Sequence, residues 1–151
     1  LRGDAIPGDR QGGSVFLNRK NVTNNTGSNR FIVNERELIN RLNAHHCKEV
    51  FAEDLTLVQK YSLLSGRDRI ITPIGANLVN VAISQDIREV ILLSNGLWGH
   101  FTNYWTNLLE RRLPEANIKV LSDCEIVDNG ASHDPYNKPY RVNLDALEQV
   151  L

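Results

Sequence analysis

The feature that most constrains this 151-residue chain is the run Val90-Ile91-Leu92-Leu93, in which no polar side chain interrupts the aliphatic residues. A strand with one solvent-facing side alternates apolar and polar residues, whereas a strand covered on both faces does not. The run therefore predicts a strand inside a parallel sheet, between two layers of helices. Parallel strands need long crossover connections, so the rest of the chain is expected to alternate strand and helix.

The remaining sequence shows this alternation. It predicts strands over 14–17, 49–52, 69–74, 89–93 and 118–121, helices over 35–46, 57–65, 77–84, 101–112 and 144–151, and a proline-containing loop over 131–141. We therefore expect residues 14–151 to form one α/β domain with three layers and a mostly parallel sheet. Residues 1–13 are expected to be a tail or the end of a preceding element.

Capping signals precede three of the predicted helices. Asn34 with Glu37, and Thr56 with Gln59, have the three-residue spacing of a capping box, in which side chains satisfy the first backbone N–H groups of a helix. Asn143 stands directly before the last amphipathic stretch and is expected to cap it. These signals place the helix starts at residues 35, 57 and 144.

The composition excludes several classes of protein. A net charge of −1 with 41% hydrophobic residues argues against a nucleic-acid or membrane-surface protein that acts through bulk charge. No apolar run approaches the ~18 residues of a transmembrane helix. Cys47 and Cys124 are expected to be buried thiols in a reducing compartment, although one disulfide remains open. The chain begins with Leu1 and contains no Met, which suggests a processed chain or a fragment of a larger protein.

The best candidate binding site is the turn Ile74-Gly75-Ala76-Asn77, where a predicted strand runs into a predicted helix. Small residues let a ligand approach the backbone, and the N–H groups at a helix start favour a phosphate or diphosphate. Basic residues are expected at the same edge of the sheet, because Arg19 and Lys20 follow the first strand and Arg30 precedes the first helix. A pair of arginines suits a diphosphate, since each guanidinium can form two hydrogen bonds to it. The alternatives are a packing turn and solvated loop charges.

Three other groups carry weaker indications of chemistry. Adjacent His45 and His46 are read as a cation-favouring helix C-terminus rather than as metal ligands, because no matching ligand cluster follows. His133-Asp134 has no nucleophile at a recognisable spacing and is a weak acid/base candidate. Trp98 is a candidate for stacking on a base or sugar, whereas the helix-spaced residues Phe101, Tyr104 and Leu108 are expected to pack in the core.

Several motifs in order along the chain resemble the C-terminal half of glycosyltransferase family 61, over Val15 to Leu151. The motifs that carry the resemblance are Leu17-Asn-Arg19-Lys20, Arg30-Phe-Ile-Val-Asn34-Glu35-Arg-Glu-Leu38, Glu53-Asp-Leu-Thr56-Leu-Val-Gln59, Ile70-Ile-Thr-Pro-Ile-Gly75-Ala-Asn-Leu78-Val-Asn80, Val90-Ile91 and Tyr140-Arg-Val-Asn-Leu-Asp-Ala-Leu147.

This resemblance implies one Rossmann-like half of a GT-B-like enzyme, which transfers sugar with inversion and without a metal or other cofactor. This C-terminal half would bind the nucleotide-sugar donor, which would be UDP-linked. The enzyme would serve the biosynthesis of a polysaccharide. The acceptor, a glycan or glycoprotein, and the catalytic base would belong to an N-terminal half, so we expect no transfer by these residues alone. The implied location is the cytoplasm of a bacterium or the ER and Golgi lumen of a eukaryote, with the cytoplasm favoured.

The resemblance also assigns donor-site residues by position. Arg19 and Arg30 would face the diphosphate, and the helix start and the small-residue turn would shape the site; these residues are Asn34, Glu35, Gly75, Ala76, Asn77, Leu78 and Asn80. The family pattern has a histidine where this chain has Ile74, a second turn glycine where it has Asn77, and a glutamate where it has Leu92. These departures keep an alternative open, a Rossmann-like binding or structural module that has lost its donor contacts.

Overall fold

The computed structural model describes residues 12–20, 31–128, 130, 134 and 137–151. Its strands are β1 (Ser14–Asn18), β2 (Cys47–Phe51), β3 (Arg69–Pro73), β4 (Glu89–Asn95), β5 (Asn117–Ile126) and β6 (Tyr140–Arg141). They form one sheet in the order β2-β1-β3-β4-β5-β6. The first five strands are parallel, and β6 pairs antiparallel with β5. The structure thus confirms the α/β fold with a mostly parallel sheet, which is Rossmann-like.

Five α-helices connect and flank these strands. They are α1 (Glu35–Ala44), α2 (Leu57–Leu64), α3 (Leu78–Ala82), α4 (Gly99–Arg112) and α5 (Leu144–Glu148), with 3₁₀ turns at Ala52–Asp54 and Gly96–Trp98. The chain moves outward from β1 to β2, then back across the sheet towards β5. Right-handed crossovers therefore place α1 on one face and α2, α3 and α4 on the other. α5 lies beside α1, because Glu148 accepts hydrogen bonds from Arg41 and His45.

The predicted central strand is the centre of the core. Val90, Ile91, Leu92 and Leu93 are all fully buried, which confirms that β4 is covered on both faces. Helix residues cover each side, namely Leu38, Leu42 and Leu147 from one layer and Leu64, Leu78, Val81 and Leu109 from the other. Both cysteines are buried and free, as the sequence predicted. Burial raises the pKa of the Cys47 thiol to about 12 and that of Cys124 to about 11.

Two of the three predicted caps are confirmed, and one is wrong in its contacts. Thr56 and Gln59 form the capping box at the start of α2, and the Asn143 side chain accepts from the first N–H groups of α5. Helix α1 does begin after Asn34, but the Asn34 side chain caps no N–H group. It bonds instead to the backbone of Val142, with Nδ2 to the carbonyl at 2.9 Å and Oδ1 to the N–H at 3.0 Å.

The aromatic residues around α4 also depart from prediction. Phe101 is 59% and Tyr104 is 61% exposed, so the helical spacing wrongly placed them in the core. Trp98 is only 3% exposed and packs edge-on against Tyr140, with ring centroids 5.6 Å apart. Tyr140 belongs to β6, inside the segment that the sequence predicted as loop. No helix in the described part of the chain is long and apolar enough to cross a membrane.

Candidate functional site

A small pocket of about 20 Å³ opens at the carboxyl edge of the sheet, beyond the ends of β1 and β3. This volume is far below the ~300–1,000 Å³ typical of ligand pockets, so in this conformation the pocket admits little more than a water molecule. Open parallel sheets bind their ligands at this edge. The residues that line it are Asn18, Arg19, Phe31, Ile32, Glu35, Pro73, Ile74, Trp98 and Tyr140.

Asn18 organises the floor of the pocket, although the sequence had not marked it as a site residue. It ends β1 at 2% exposure, and its Nδ2 donates to Glu35 Oε1 at 2.8 Å and to Glu49 Oε1 at 2.7 Å. Its Oδ1 accepts from the backbone N–H of Arg19 at 2.8 Å. The buried amide therefore fixes both the start of α1 and the backbone from which the Arg19 side chain projects.

Arg19 and Glu35 are the charged residues that line the described part of the pocket. The neighbouring Lys20 is turned to an ion pair with Asp54, so its charge is already compensated. Arg30, the second arginine predicted to face a diphosphate, lies outside the described residues, and so does His133. The pocket thus combines one cation suited to a phosphate with one carboxylate that repels it.

The small-residue turn lies directly behind the pocket. Gly75 has φ of +155°, a conformation in which an L side chain is strained, and a Cβ placed there would meet no atom within 4 Å. The glycine is thus required by the backbone rather than by crowding. Asn77 Nδ2 donates to the Asn18 carbonyl at 3.3 Å, which joins the turn to the pocket floor.

The N–H groups of this turn differ from the prediction. The sequence suggested free N–H groups at the helix start, directed at an anion. In the structure the N–H groups of Leu78, Val79 and Asn80 donate to the carbonyls of residues 75–77, at 3.0, 3.2 and 3.0 Å. Helix α3 has only five residues, so its dipole is also short. A ligand can therefore approach the backbone of this turn closely, but the bonded N–H groups of residues 78–80 do not form an anion-binding site.

Residues from the far end of the chain close the pocket. Tyr140 exchanges backbone hydrogen bonds with Phe31 and Val33, and its ring contacts Trp98. Trp98, the candidate for stacking on a base or sugar, has its ring buried in the pocket wall, and its stacking role stays a prediction. The sequence had no signal for this wall, since residues 31, 98 and 140 meet only through the folded sheet.

Two of the three departures from the family pattern, Ile74 and Leu92, lie at different positions relative to the pocket. Ile74 is 4% exposed and lines the pocket, where it presents an apolar wall. Leu92 is fully buried at the centre of β4 and does not line the pocket. A polar residue at position 92 would lie inside the core, so the leucine there does not remove a contact from this pocket.

The predicted site residues that the structure describes divide into three groups. Arg19 and Glu35 line the pocket, and the turn of Gly75, Ala76 and Asn77 lies beside it. Asn34 holds Val142, Leu78 is core, and Asn80 accepts a hydrogen bond from Ser84 through its carbonyl, so these three do not line it. Among the described residues, no group of three or more His, Cys, Asp or Glu is placed to hold a metal ion.

Fold and site together define a Rossmann-like α/β domain with a ligand pocket at the carboxyl edge of its parallel sheet. The model of the glycosyltransferase 61 family matches residues 7–91, which is 85 of the 151 residues. The chain belongs to that family, as the motifs had indicated, and sugar transfer from a donor to an acceptor is the family's activity. No curated protein matches the chain. The matched region carries β1 to β3, the first residues of β4 and most of the pocket, whereas Trp98 and Tyr140 lie beyond it.

Proposed function

We propose that this chain binds the nucleoside diphosphate part of a sugar donor, as the donor domain of an inverting, metal-independent glycosyltransferase. The observation that carries the proposal is the position of Arg19 in a pocket at the carboxyl edge of the sheet. That edge is where Rossmann-like sheets bind nucleotides, and the family requires a sugar donor. UDP is the nucleotide that we propose, from the family resemblance.

Arg19 is proposed to act on the leaving group. In an inverting transfer the acceptor oxygen attacks the anomeric carbon from one side while the bond to the diphosphate oxygen breaks on the other. Negative charge grows on the departing diphosphate, and a guanidinium stabilises it with paired N–H donors. Arg30 is proposed to share this task. We assign the catalytic base and the glycan or glycoprotein acceptor to another part of the enzyme, in a GT-B arrangement that serves polysaccharide biosynthesis.

The turn at Gly75 is proposed to pass beside the diphosphate. Gly75 and Ala76 carry no bulky side chain, and a Cβ at Gly75 would point into open space, so a ligand can approach this backbone closely. The contribution of residues 78–80 is to hold the turn, because their N–H groups are bonded within it. Asn34 and Glu35 are proposed to shape the start of α1 at the opposite side.

A second candidate function rests on Glu35 and Ile74. A carboxylate and an apolar wall line the same pocket as Arg19, and both disfavour a diphosphate. These residues favour a family member that keeps the fold as a binding or structural module without donor binding. The two candidates differ in one property, the affinity for a nucleoside diphosphate.

Isothermal titration with UDP distinguishes them. We expect saturable binding by the chain, unchanged when EDTA is added, and we expect Arg19→Ala to weaken it about tenfold through loss of a charge-assisted contact. Arg111→Ala is the matched control, because it removes an exposed arginine from the last turn of α4, at the other edge of the sheet. That variant should bind UDP like the parent.

Two results would contradict the proposal. The absence of heat at millimolar UDP, CDP and GDP would favour the structural module. Equal losses in Arg19→Ala and Arg111→Ala would indicate a nonspecific effect of charge rather than a site. Sugar transfer by this chain without any added domain would contradict the assignment of the acceptor and base to another part of the enzyme.

A further inference from the structure

Asn95, at the end of β4, is a buried polar residue whose side chain has no hydrogen-bond partner among the described residues. It is fully buried, and neither Nδ2 nor Oδ1 has a hydrogen-bond partner among the described residues. The other buried polar residues in that part of the chain all form side-chain hydrogen bonds; they are Asn18, Asn34, Thr72, Ser84 and Ser94. A buried amide with no partner is costly, and such exceptions concentrate where a ligand completes the bonding.

The geometry of β4 places the Asn95 side chain on the pocket side of the sheet. Successive strand residues face opposite ways. Ser94 bonds to Thr102 of α4 at 2.9 Å, so Ser94 faces the α4 layer and Asn95 faces the α1 layer. The bulge at this point puts two residues of β5 opposite Asn95, which leaves the alternation of β4 itself intact.

The same face carries the floor of the pocket. Pro73 pairs in register with Leu93, and Asn18 faces α1 through its bond to Glu35. Both Pro73 and Asn18 line the pocket. Asn95 lies two residues beyond Leu93 in the same direction, so it continues this row of side chains towards the carboxyl edge.

A segment of the pocket wall follows Asn95 directly in the chain. This segment is the 3₁₀ turn Gly96–Trp98, and Asn95 occupies the N-cap position of that turn without capping it. The Trp98 ring then packs against Tyr140, and both rings line the pocket. Glycines at 96 and 99 flank the turn, and an added Cβ at either would meet no atom closer than 3.9 Å. The wall segment beside Asn95 is thus one short turn that begins with a glycine and is followed by another.

We propose that Asn95 is a concealed contact for the nucleobase of the donor, uncovered when the turn 96–98 moves on binding. This inference rests on the proposed nucleotide site. An asparagine amide presents an acceptor beside two donors, and the edge of a nucleobase presents the complementary pair. The Trp98 ring, once displaced, provides a stacking face beside it. The diphosphate then lies towards Arg19 at the other end of the pocket.

The variant Asn95→Leu tests this in one experiment with two readouts. Leucine has a similar size and no unmet hydrogen bonds, so thermal unfolding should shift upward by roughly 3–6 °C. The affinity for UDP in isothermal titration should fall about tenfold, because the base loses two hydrogen bonds. Ser84→Ala is the control: it removes a bonded buried hydroxyl away from the pocket, and it should lower the unfolding temperature without changing the affinity.

Each outcome decides the question. A rise in unfolding temperature together with weaker UDP binding supports the inference. An unchanged affinity, or a lower unfolding temperature, overturns it, because Asn95 would then be a structural residue. If the parent chain itself binds no UDP, the proposed function fails first, which the titration of the parent shows before any variant is made.

Trp98 fluorescence gives a second test that needs no change at Asn95. Trp105→Phe leaves Trp98 as the single tryptophan of the chain. UDP should then shift its emission to longer wavelength or quench it, since the ring leaves its buried position. Uridine should produce the same change at higher concentration, whereas pyrophosphate alone should not. Emission that stays constant at saturating UDP overturns the inference.

Discussion

The polar groups at the two edges of the sheet differ in how far they are paired with one another. At the amino edge Glu89 accepts from Arg69 Nε at 2.5 Å and from Lys119 Nζ at 2.6 Å, and Asp68 pairs with Arg88 at 3.1 Å. At the carboxyl edge Arg19 and Glu35 line a pocket, and Asn95 is buried without a partner. The same five parallel strands thus begin beside a cluster of paired charges and end beside a pocket and a buried amide without a hydrogen-bond partner.

This difference separates stability from function within one small domain. Paired charges at the amino edge hold neighbouring strands in register, because β3, β4 and β5 each contribute one member of the Arg69, Glu89 and Lys119 cluster. At the carboxyl edge, a polar group without a hydrogen-bond partner lowers the stability of the fold. Such groups are retained where a ligand supplies the missing hydrogen bonds. Changes to the cluster of Arg69, Glu89 and Lys119 should therefore act on folding, and changes to the residues that line the pocket should act on binding.

The largest expected effect on stability is at Glu89. Glu89→Gln leaves Arg69 and Lys119 without their shared carboxylate, so the free energy of unfolding should fall by about 2 kcal/mol, with UDP affinity unchanged. Urea denaturation measures the loss. Glu53→Gln, an exposed carboxylate in a 3₁₀ turn, should cost less than about 0.5 kcal/mol. Similar losses in both variants would show that the cluster is no stronger than an ordinary surface charge.

The pH dependence of stability sharpens the same point. Although burial alone would raise the pKa of Glu89, the hydrogen bonds and charges of Lys119 and Arg69 hold it below its usual value of 4.5. Its contribution is therefore present above pH 4.5 and is lost as the pH falls through the lowered pKa. Glu89→Gln should lose less stability than the parent between neutral and acid pH. Parallel acid unfolding curves would contradict this.

At the carboxyl side the largest effect on folding is expected at Asn34. Its two buried hydrogen bonds to Val142 join the start of α1 to the C-terminal segment. Asn34→Ala should lower the free energy of unfolding by about 2 kcal/mol, because it leaves the Val142 backbone groups unsatisfied. Asn40→Ala, on an exposed position of the same helix, should be neutral or slightly stabilising in urea denaturation. An equal effect of both would exclude a specific role for the Val142 contact.

A pair of glycines tests whether the turn behind the pocket is strained. Gly75→Ala should cost about 1 kcal/mol, since its φ of +155° disfavours any side chain. Gly99→Ala should be neutral or stabilising, because Gly99 is helical and its added Cβ meets no atom. Thermal unfolding of the two variants makes the comparison directly. A tolerated alanine at position 75 would show that the turn relaxes, and it would remove the reason for glycine there.

The smallest effect is a difference in the reactivity of the two thiols. Cys47 begins β2 at the amino edge, and Cys124 lies opposite Asn95 near the carboxyl edge. Both pKa values are raised, to about 12 and about 11, so both should resist thiol reagents in the native protein. We expect Cys124 to react several-fold faster than Cys47, because local opening is easier beside unmet groups. Reaction rates of Cys47→Ala and Cys124→Ala measure this, and saturating UDP should slow Cys124 alone. Equal rates would argue that the two edges are equally rigid.

Much of the fold could be predicted from local patterns. The strands and helices follow from apolar periodicity, which is a property of neighbouring residues, and Thr56 and Asn143 cap their helices as short-range spacing indicates. The candidate site was only partly predictable. Arg19 and the Gly75 turn follow strand ends, but nothing local shows that Asn18 bridges Glu35 and Glu49, or that Asn95 is left without a partner.

The errors have a common physical cause. Helical spacing shows which residues share a face, yet it does not show whether another layer covers that face; Phe101 and Tyr104 remain exposed for this reason. Asn34 looks like a cap because its preferred local partner is a helix N–H. In the structure a competing partner, Val142, is 108 residues away in sequence and adjacent in space.

The sequence by itself determined the α/β class, the central buried strand and the membership in glycosyltransferase family 61, because each depends on residues close together in the chain. Only the tertiary structure decided which residues line the pocket. It brought Arg19, Glu35, Trp98 and Tyr140 to one edge of the sheet and buried the tryptophan. It also left the Asn95 side-chain amide without a hydrogen-bond partner among the described residues. Those outcomes depend on which strand ends meet and what covers them, a matter of packing between distant segments rather than of local preference.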